Sequence, residues 1–553
     1  MATHPLFPDE EGVGYTSETS TQATPYSHDQ VRSQWRHPFF FANTVPSIGG
    51  AIGTGLFLGT GNALKTGGLL GAHLWHITRP KIDIPSSLLI GYTIVGTICY
   101  AMMLCLGEMI SYLPIPGGHI KLAERFVNPA FSFTVGWNYW YNGIITLPAE
   151  LSASAVLIDY WEHRKINDAA WISVCLVVVI LINTLGAGAY GETEFFFVSF
   201  KVITIVGLLI LGVILDLGGG PNHDRIGFRY WKDPGPFVQF NGIGGAKGRF
   251  LGWWSVMSQA AFSYIGTEIV GMAAGEAQNP RQNLPKAIKR IYIRILLFYI
   301  GGAWIIGWLV PSNDKHLGLT SDAASSPFVI AISRAGIKGL PSVINAAIVT
   351  SSWSAASSDL YITSRTLYGL AISGNAPQVF ARTSKFGLPY VAVTFCGLFC
   401  SLAYMGVKSG SLKVFGWFSN MTSIAGLMTW FGIAVTYVRF YAGMKAQGYD
   451  RSKLPFSSPL QPYAAWYVII STVVICFFSG FKVFLKGGWD RADFITHYLP
   501  FALFPIFYFG ARYFLYKTPM VDVADMDFLT GQSQDSYDES PPRNSLEKFW
   551  ARL

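Results

Sequence analysis

The sequence predicts an all-α polytopic membrane protein, and three observations point there. The 553 residues are 51% hydrophobic and 15% aromatic but only 13% charged, with a mean hydropathy of +0.35; soluble domains carry about 25% charge. Apolar runs long enough to cross a bilayer recur along the chain. Two of those runs are interrupted by glycine and small polar residues at their centres. In chain order the runs are Phe39 to Ala63, Ser87 to Leu113, Phe131 to Tyr160, Ala169 to Leu185, Glu194 to Leu217 and Leu251 to Ala274. Ile291 to Val310, Leu340 to Ile372, Leu388 to Val407, Leu412 to Val435, Ala464 to Leu485 and Phe494 to Tyr516 follow. The count is about twelve spans, placing a transmembrane domain at 39–516 between polar tails at 1–38 and 517–553. Both tails read as disordered, including the stretch from Met520 to Leu553 with its Asp522, Asp525 and Asp527.

The first run contains IGGAIGTGLFLGTG, in which Gly49, Gly50, Gly53 and Gly55 keep no single four-residue spacing. Regular small-residue spacing would indicate close helix packing; these glycines cover more than one face and predict a helix break. The same glycines do not form a dinucleotide fingerprint, because no strand, turn and helix surround them. The sixth run, AFSYIGTEIVGMAAGE, is interrupted by Ser263, Gly266, Thr267 and Glu268. Broken helices at matching positions of two five-span halves are what an inverted-repeat carrier requires. Exposed N–H groups at a half-helix start suit a carboxylate, and exposed carbonyls at a half-helix end suit an ammonium group. Ile52, Gly53, Thr54 and Gly55 are thus expected to take the carboxylate of a free amino acid. Phe262, Ser263 and Tyr264, with the Gly266 break behind them, are expected to take its amino group. Tyr264, Trp353 and Ser419 are the candidates for contact with its side chain.

Charged residues inside spans are functional candidates by default. Lys201, in FVSFKVITIVGLLILG, is expected either to face the interior and exchange a proton or to snorkel toward the interface, with Glu194 seven residues away. Glu268 adjoins the second break and is the other candidate for proton coupling. Glu108 stands as a functional or a structural carboxylate, and Glu150, after Pro148, reads as structural. The hydroxyls of Ser351, Ser352, Ser354, Ser357 and Ser358, with Asp359 beside them, are expected to join helices by hydrogen bonds.

The net charge of +8 sits between spans and implies no nucleic-acid partner. The basic blocks around Arg281 to Arg294, Arg365 to Lys385 and Arg439 to Lys453 fall on one side, which the positive-inside rule makes cytosolic together with both tails. Arg164, Lys165, Lys315, Lys482 and Lys486 lie on the other side and weaken that bias. All six cysteines lie within apolar runs, without disulfide or metal-ligand spacing. No nucleophile, base and orienter set and no phosphate loop is present, so the reading is not that of an enzyme, and no metal or organic cofactor is expected.

The chain resembles the fungal amino acid permeases of the amino acid, polyamine and organocation superfamily. The matching stretches include IGGAIGTGLFLGTGNAL, LGEMISYLPIPGGHIKLAERFVNPAFSFTVGWNYWYN, LPAELSASAVLIDYW, AFSYIGTEIVGMAAGEAQNPRQNLPKAIKR, NAAIVTSSWSAASSDLYITSRTLYGLAISGNAP and MDFLTG. The resemblance implies a five-plus-five inverted repeat with two extra helices, cytosolic termini and proton-driven uptake of amino acids at the plasma membrane. It also implies a coupling role for the basic residue at Lys201. Two segments depart from the family pattern: 38–47, which puts Pro46 into the first half-helix, and 72–87, which adds polar residues before the second span. Each is either a mis-spliced insertion or a lineage-specific feature. An amino-acid receptor built on a carrier fold, binding without transport, is the alternative function.

Overall fold

The computed structural model describes residues 53–67, 87–162, 165–184, 187–233, 238–272, 274, 280–317, 326–385 and 387–532, all within one compact unit, Phe41–Leu553. Ile52, Pro46, the segment 38–47 and residues 72–86 lie outside them. The described residues are helical, with no strand among them. Among the described residues seven helices are long and apolar enough to cross a membrane, and two shorter apolar helices, Asp168–Thr184 and Tyr463–Phe478, accompany them.

Burial sorts these helices into a centre and a rim. In its most apolar stretch the Pro129–Glu162 helix is 83% buried and Ser411–Ala446 78%, whereas Arg491–Tyr516 is 28% buried. The rim exposes apolar side chains, Ile203 at 70% and Phe514 at 83% among them. Outward apolar faces of this kind are stable against hydrocarbon and not against water. The central helices carry small and polar residues instead. Asn138 Nδ2 donates to Ala425 O (2.9 Å) and Thr429 Oγ1 (3.0 Å), and Asn142 Nδ2 to Thr422 O (2.8 Å), tying Pro129–Glu162 to Ser411–Ala446. The serine cluster bonds between helices as expected: Ser352 Oγ to Ser154 Oγ at 2.6 Å, Ser354 Oγ to Glu194 Oε2 at 3.0 Å, Ser357 Oγ to Asn183 Nδ2 at 3.0 Å and Ser358 Oγ to the Tyr190 hydroxyl at 3.1 Å.

Glu108 is structural. Fully buried, it accepts hydrogen bonds from Arg451 Nη2 (2.9 Å), the Ser458 amide (2.7 Å) and the Tyr437 hydroxyl (2.5 Å). These bonds pin the Ser87–Tyr112 helix to the loop after Ser411–Ala446.

The C-terminal segment corrects the disorder expected from Met520 onward, because residues 520–532 form a packed strap. The Val521 amide donates to Val127 O (2.9 Å), Arg439 donates to both Phe126 O and Val521 O, and Gln447 Nε2 reaches the carbonyls of Val523, Ala524 and Met526. Phe528 is buried among Phe126, Phe440 and Tyr449, and Arg125 Nη1 donates to Thr530 O at 2.6 Å. The composition misleads because the two apolar anchors, Met526 and Phe528, stand among acids, and the remaining bonds are made by backbone carbonyls that any sequence supplies.

Another polar cluster joins the 310–317 loop to the Pro327–Arg334 helix. Asp314 accepts from the His316 amide (2.9 Å) and from Arg334 Nη1 (2.7 Å), while Arg334 Nη2 donates to the Tyr230 hydroxyl (3.0 Å). Burial pushes the Asp314 carboxyl up, but the His316 amide and the Arg334 guanidinium outweigh it and hold it below the ordinary aspartate value. A carboxyl depressed in the folded state stabilises it above the unfolded value, and that contribution is lost as pH falls through the folded one. Thermal unfolding of purified protein is therefore expected to show an acid-labile component below about pH 4 that D314N removes.

Candidate functional site

The two glycine-rich interruptions meet around one cavity. At the first, Gly53 is in a bend and helix begins at Thr54, passing through a π-helical turn at Gly55–Gly59 into Thr60–Gly67. Such wide turns are frequent at functional sites. At the second, the Gly245–Tyr264 helix ends at Ile265, whose backbone is extended, and Gly266 follows with φ 93° before a short helix, Ile269–Met272. The left-handed conformation at Gly266 costs an L side chain strain that glycine avoids. Its amide no longer reaches the Phe262 carbonyl four residues back; it donates to the Glu268 carboxylate at 3.2 Å. The helix end thus presents a carbonyl released from the ladder.

Gly55 brings the two interruptions into contact. A Cβ there would lie 2.8 Å from Ser263 Cα and 3.1 Å from Phe262 Cδ1, so only a residue without a side chain lets the backbones approach this closely. The cavity is walled by Gly53, Gly55, Phe262, Ser263, Ile265, Gly266, Glu268 and Ile269 from the two interruptions. Tyr139, Asn142, Gly143, Thr146 and Glu150 of the Pro129–Glu162 helix close a second side. Ala355, Asp359, Ile362, Thr363 and Thr366 of Leu340–Ile372 close a third, and Thr422 completes the lining.

Of the other predicted residues, Glu268 forms part of this wall, and Thr54, Tyr264 and Lys201 do not line it. Thr54 is buried and directs both its amide (3.4 Å) and its hydroxyl (3.0 Å) to Glu150 Oε1. Tyr264 is fully buried, its hydroxyl donating to Tyr92 O at 2.8 Å, while Tyr92 bonds Ser263 Oγ at 2.8 Å. Glu268 accepts from Trp430 Nε1 (3.2 Å) as well as from Gly266. Lys201 is 2% exposed, so it does not snorkel; it lies in the electrostatic field of Glu194, Glu150 and Asp359 and does not itself line the cavity.

Four expectations change here. Glu150, read as structural, does bond Thr54 but is also a wall of the cavity. Trp353 bonds Cys175 Sγ (3.0 Å) and Ser419 bonds Gly416 O (3.1 Å), so with Tyr264 turned to Tyr92 none of the three side-chain candidates lines the cavity. Asn142, Thr146, Thr363, Thr366 and Thr422 line it instead. The missed signal was polar periodicity: Tyr139, Asn142, Thr146 and Glu150, and separately Asp359, Thr363 and Thr366, recur at three- and four-residue steps, one stripe of a helix each. Both stripes are hidden in runs that average as apolar.

Residues 43–521 match the family description amino acid permease. The chain belongs to the amino acid permease family. This permease is 42% identical to the dicarboxylic amino acid permease of Saccharomyces cerevisiae over 490 residues, 88% of its own length and 78% of that relative. It is 40% identical to the proline-specific permease of Emericella nidulans, covering 91% and 90% of the two chains. Against the lysine-specific permease of Saccharomyces cerevisiae the identity is 38%, over 92% and 80%. The permease is therefore an integral membrane protein of a transporter family and not an enzyme.

Proposed function

We propose that this permease imports free amino acids across the plasma membrane by proton symport with alternating access, and that it holds the substrate backbone between the two helix interruptions. The observation that carries the reading is the contact of Gly55 with the Ser263 backbone beside an open cavity. A half-helix start and a half-helix end there face one space, which suits a zwitterion. Relatives named for dicarboxylic amino acids, proline and lysine share these interruptions' family, and what those three substrates have in common is the backbone. Side-chain choice then falls to the polar stripe of Asn142, Thr146, Thr363, Thr366 and Thr422. The reading includes about twelve spans in a five-plus-five inverted repeat with two extra helices, both tails in the cytosol, and Lys201 as a charge that responds to protonation of its carboxylate neighbours.

Uptake of labelled amino acids by cells lacking their own permeases tests this. Expression of the chain is expected to give concentrative uptake that collapses when the proton gradient is dissipated. Binding of amino acids without uptake would overturn the transport reading in favour of a receptor. Lys201→Met is expected to retain downhill exchange and lose uphill accumulation; unchanged accumulation with unchanged pH dependence would remove Lys201 from coupling.

A further inference from the structure

We propose that Asp359 is a proton-binding site of this permease, taking its proton from the cavity and using Lys201 as its counter-charge. The inference rests on the proton-symport reading above and assigns the proton to a residue that neither sequence candidate covers.

The argument is one of charge balance at a particular place. Asp359 lines the cavity on the same helical stripe as Ala355 and Thr363. Immediately before it, Ser354 and Ser358 bond Glu194 and Tyr190, which fixes this face of Leu340–Ile372 against the Ala187–Asp216 helix that carries Lys201. Glu150 lines the same cavity from Pro129–Glu162, and the charges of Glu150, Glu194 and Lys201 act on Asp359, as those of the three carboxylates act on Lys201. Fully ionised, they would place three negative charges against one positive charge between packed helices. Glu268 adds a further negative field, which Arg294 opposes. On its own helix, Asp359 has Tyr361 and Arg365 nearby, the guanidinium lying over the Tyr361 ring at 3.2 Å. Tyr139 and Tyr190 are the remaining titratable neighbours, from the other two helices.

Excess buried charge of one sign is relieved when a carboxylate takes up a proton. Hydrogen bonding favours one carboxylate over the others. Glu150 accepts at Oε1 from Thr54 and Glu194 accepts at Oε2 from Ser354, donors that favour the ionised form, although each keeps its second oxygen without a partner among the described residues. Asp359 accepts no hydrogen bond among the described residues, and it opens on the cavity, where water and substrate enter. In the step itself a hydronium ion in the cavity gives its proton to an Asp359 carboxylate oxygen; one O–H bond breaks, one forms, and water leaves. On the cytosolic side the reverse transfer returns the proton to water. Binding the proton removes one of three negative charges facing Lys201, so the loaded and unloaded states differ in the force between Leu340–Ile372 and Ala187–Asp216. That difference is what coupling needs, since a ligand shifts a conformational equilibrium only through unequal interaction with the two states.

Two measurements test the proposal. In cells, D359N is expected to lose uphill accumulation and substrate-induced proton entry while surface abundance persists, and D359E to restore part of both. D359N transport with wild-type pH dependence and wild-type proton entry would overturn the assignment. If wild-type uptake itself ignores the proton gradient, the symport reading falls first, which separates the two failures. In the purified wild-type protein, a hydrophobic carbodiimide, which attacks protonated carboxyl groups, is expected to modify Asp359 in acid and not in alkaline medium, as mapped by mass spectrometry. Absence of modification at Asp359 in acid, with other carboxyls labelled, would overturn it without any substitution.

Discussion

Replacing Gly55 by valine is expected to reduce amino acid uptake to background. The new Cβ would sit 2.8 Å from Ser263 Cα, and a backbone atom within a helix end cannot swing aside as a flexible side chain can. Overpacking of this kind costs about 1–3 kcal/mol, small enough for the protein to reach the membrane and large enough to separate the two interruptions. Gly53→Leu acts on the same space from the other side. Its Cβ would meet Glu150 Oε1 at 2.8 Å and Ala355 Cβ at 3.4 Å, displacing the carboxylate from Thr54 and filling the cavity. Radiolabelled uptake normalised to surface abundance checks both. Normal transport by either variant would remove the proposed substrate position.

The second large effect is on folding. Arg451→Met leaves the Glu108 carboxylate fully buried with only the Tyr437 hydroxyl and the Ser458 amide for partners. Removing one member of a buried ion pair costs about 3–5 kcal/mol, a large share of a typical total of about 5–15 kcal/mol. R451M is therefore expected to yield little monodisperse protein after detergent extraction. Adding E108Q should recover most of it, because the uncompensated charge is then gone while an acceptor for Tyr437 remains. A double variant no better than R451M alone would show that Arg451 acts through packing. Its guanidinium does stand 5.0 Å from the Tyr441 ring, a contact the double variant would not restore.

Much of this was legible because hydrophobic runs and glycines act locally. Ser87 to Leu113 became the helix Ser87–Tyr112, and Leu340 to Ile372 became a helix with those bounds. Gly266, read from an interruption of apolar character, is where the chain takes up positive φ. Less legible were residues whose role depends on a partner far along the chain. Glu150 and Thr54 are 96 residues apart, and Tyr437 and Glu108 are 329 apart. No local pattern distinguishes a carboxylate that walls a cavity from one that staples a loop. Glu150, which reads as structural in the sequence, walls the cavity, and Glu108, for which the sequence leaves both roles open, staples the loop. The strap at 520–532 escaped composition for a related cause, since its hold is made mainly through carbonyls and two apolar anchors; only the resemblance at MDFLTG marked it.

The sequence by itself determined that the chain is helical and built for lipid, where helices interrupt, and to which family it belongs. Those properties are set by side-chain hydrophobicity and backbone freedom, which each residue carries with it. Tertiary structure alone decided that the two interruptions touch at Gly55 and Ser263, that Glu150 and Asp359 share one cavity, and that Lys201 faces inward among carboxylates. Steric contacts and hydrogen bonds act over a few ångströms and electrostatic interactions weaken with separation, so these contacts exist only once packing has brought distant residues together.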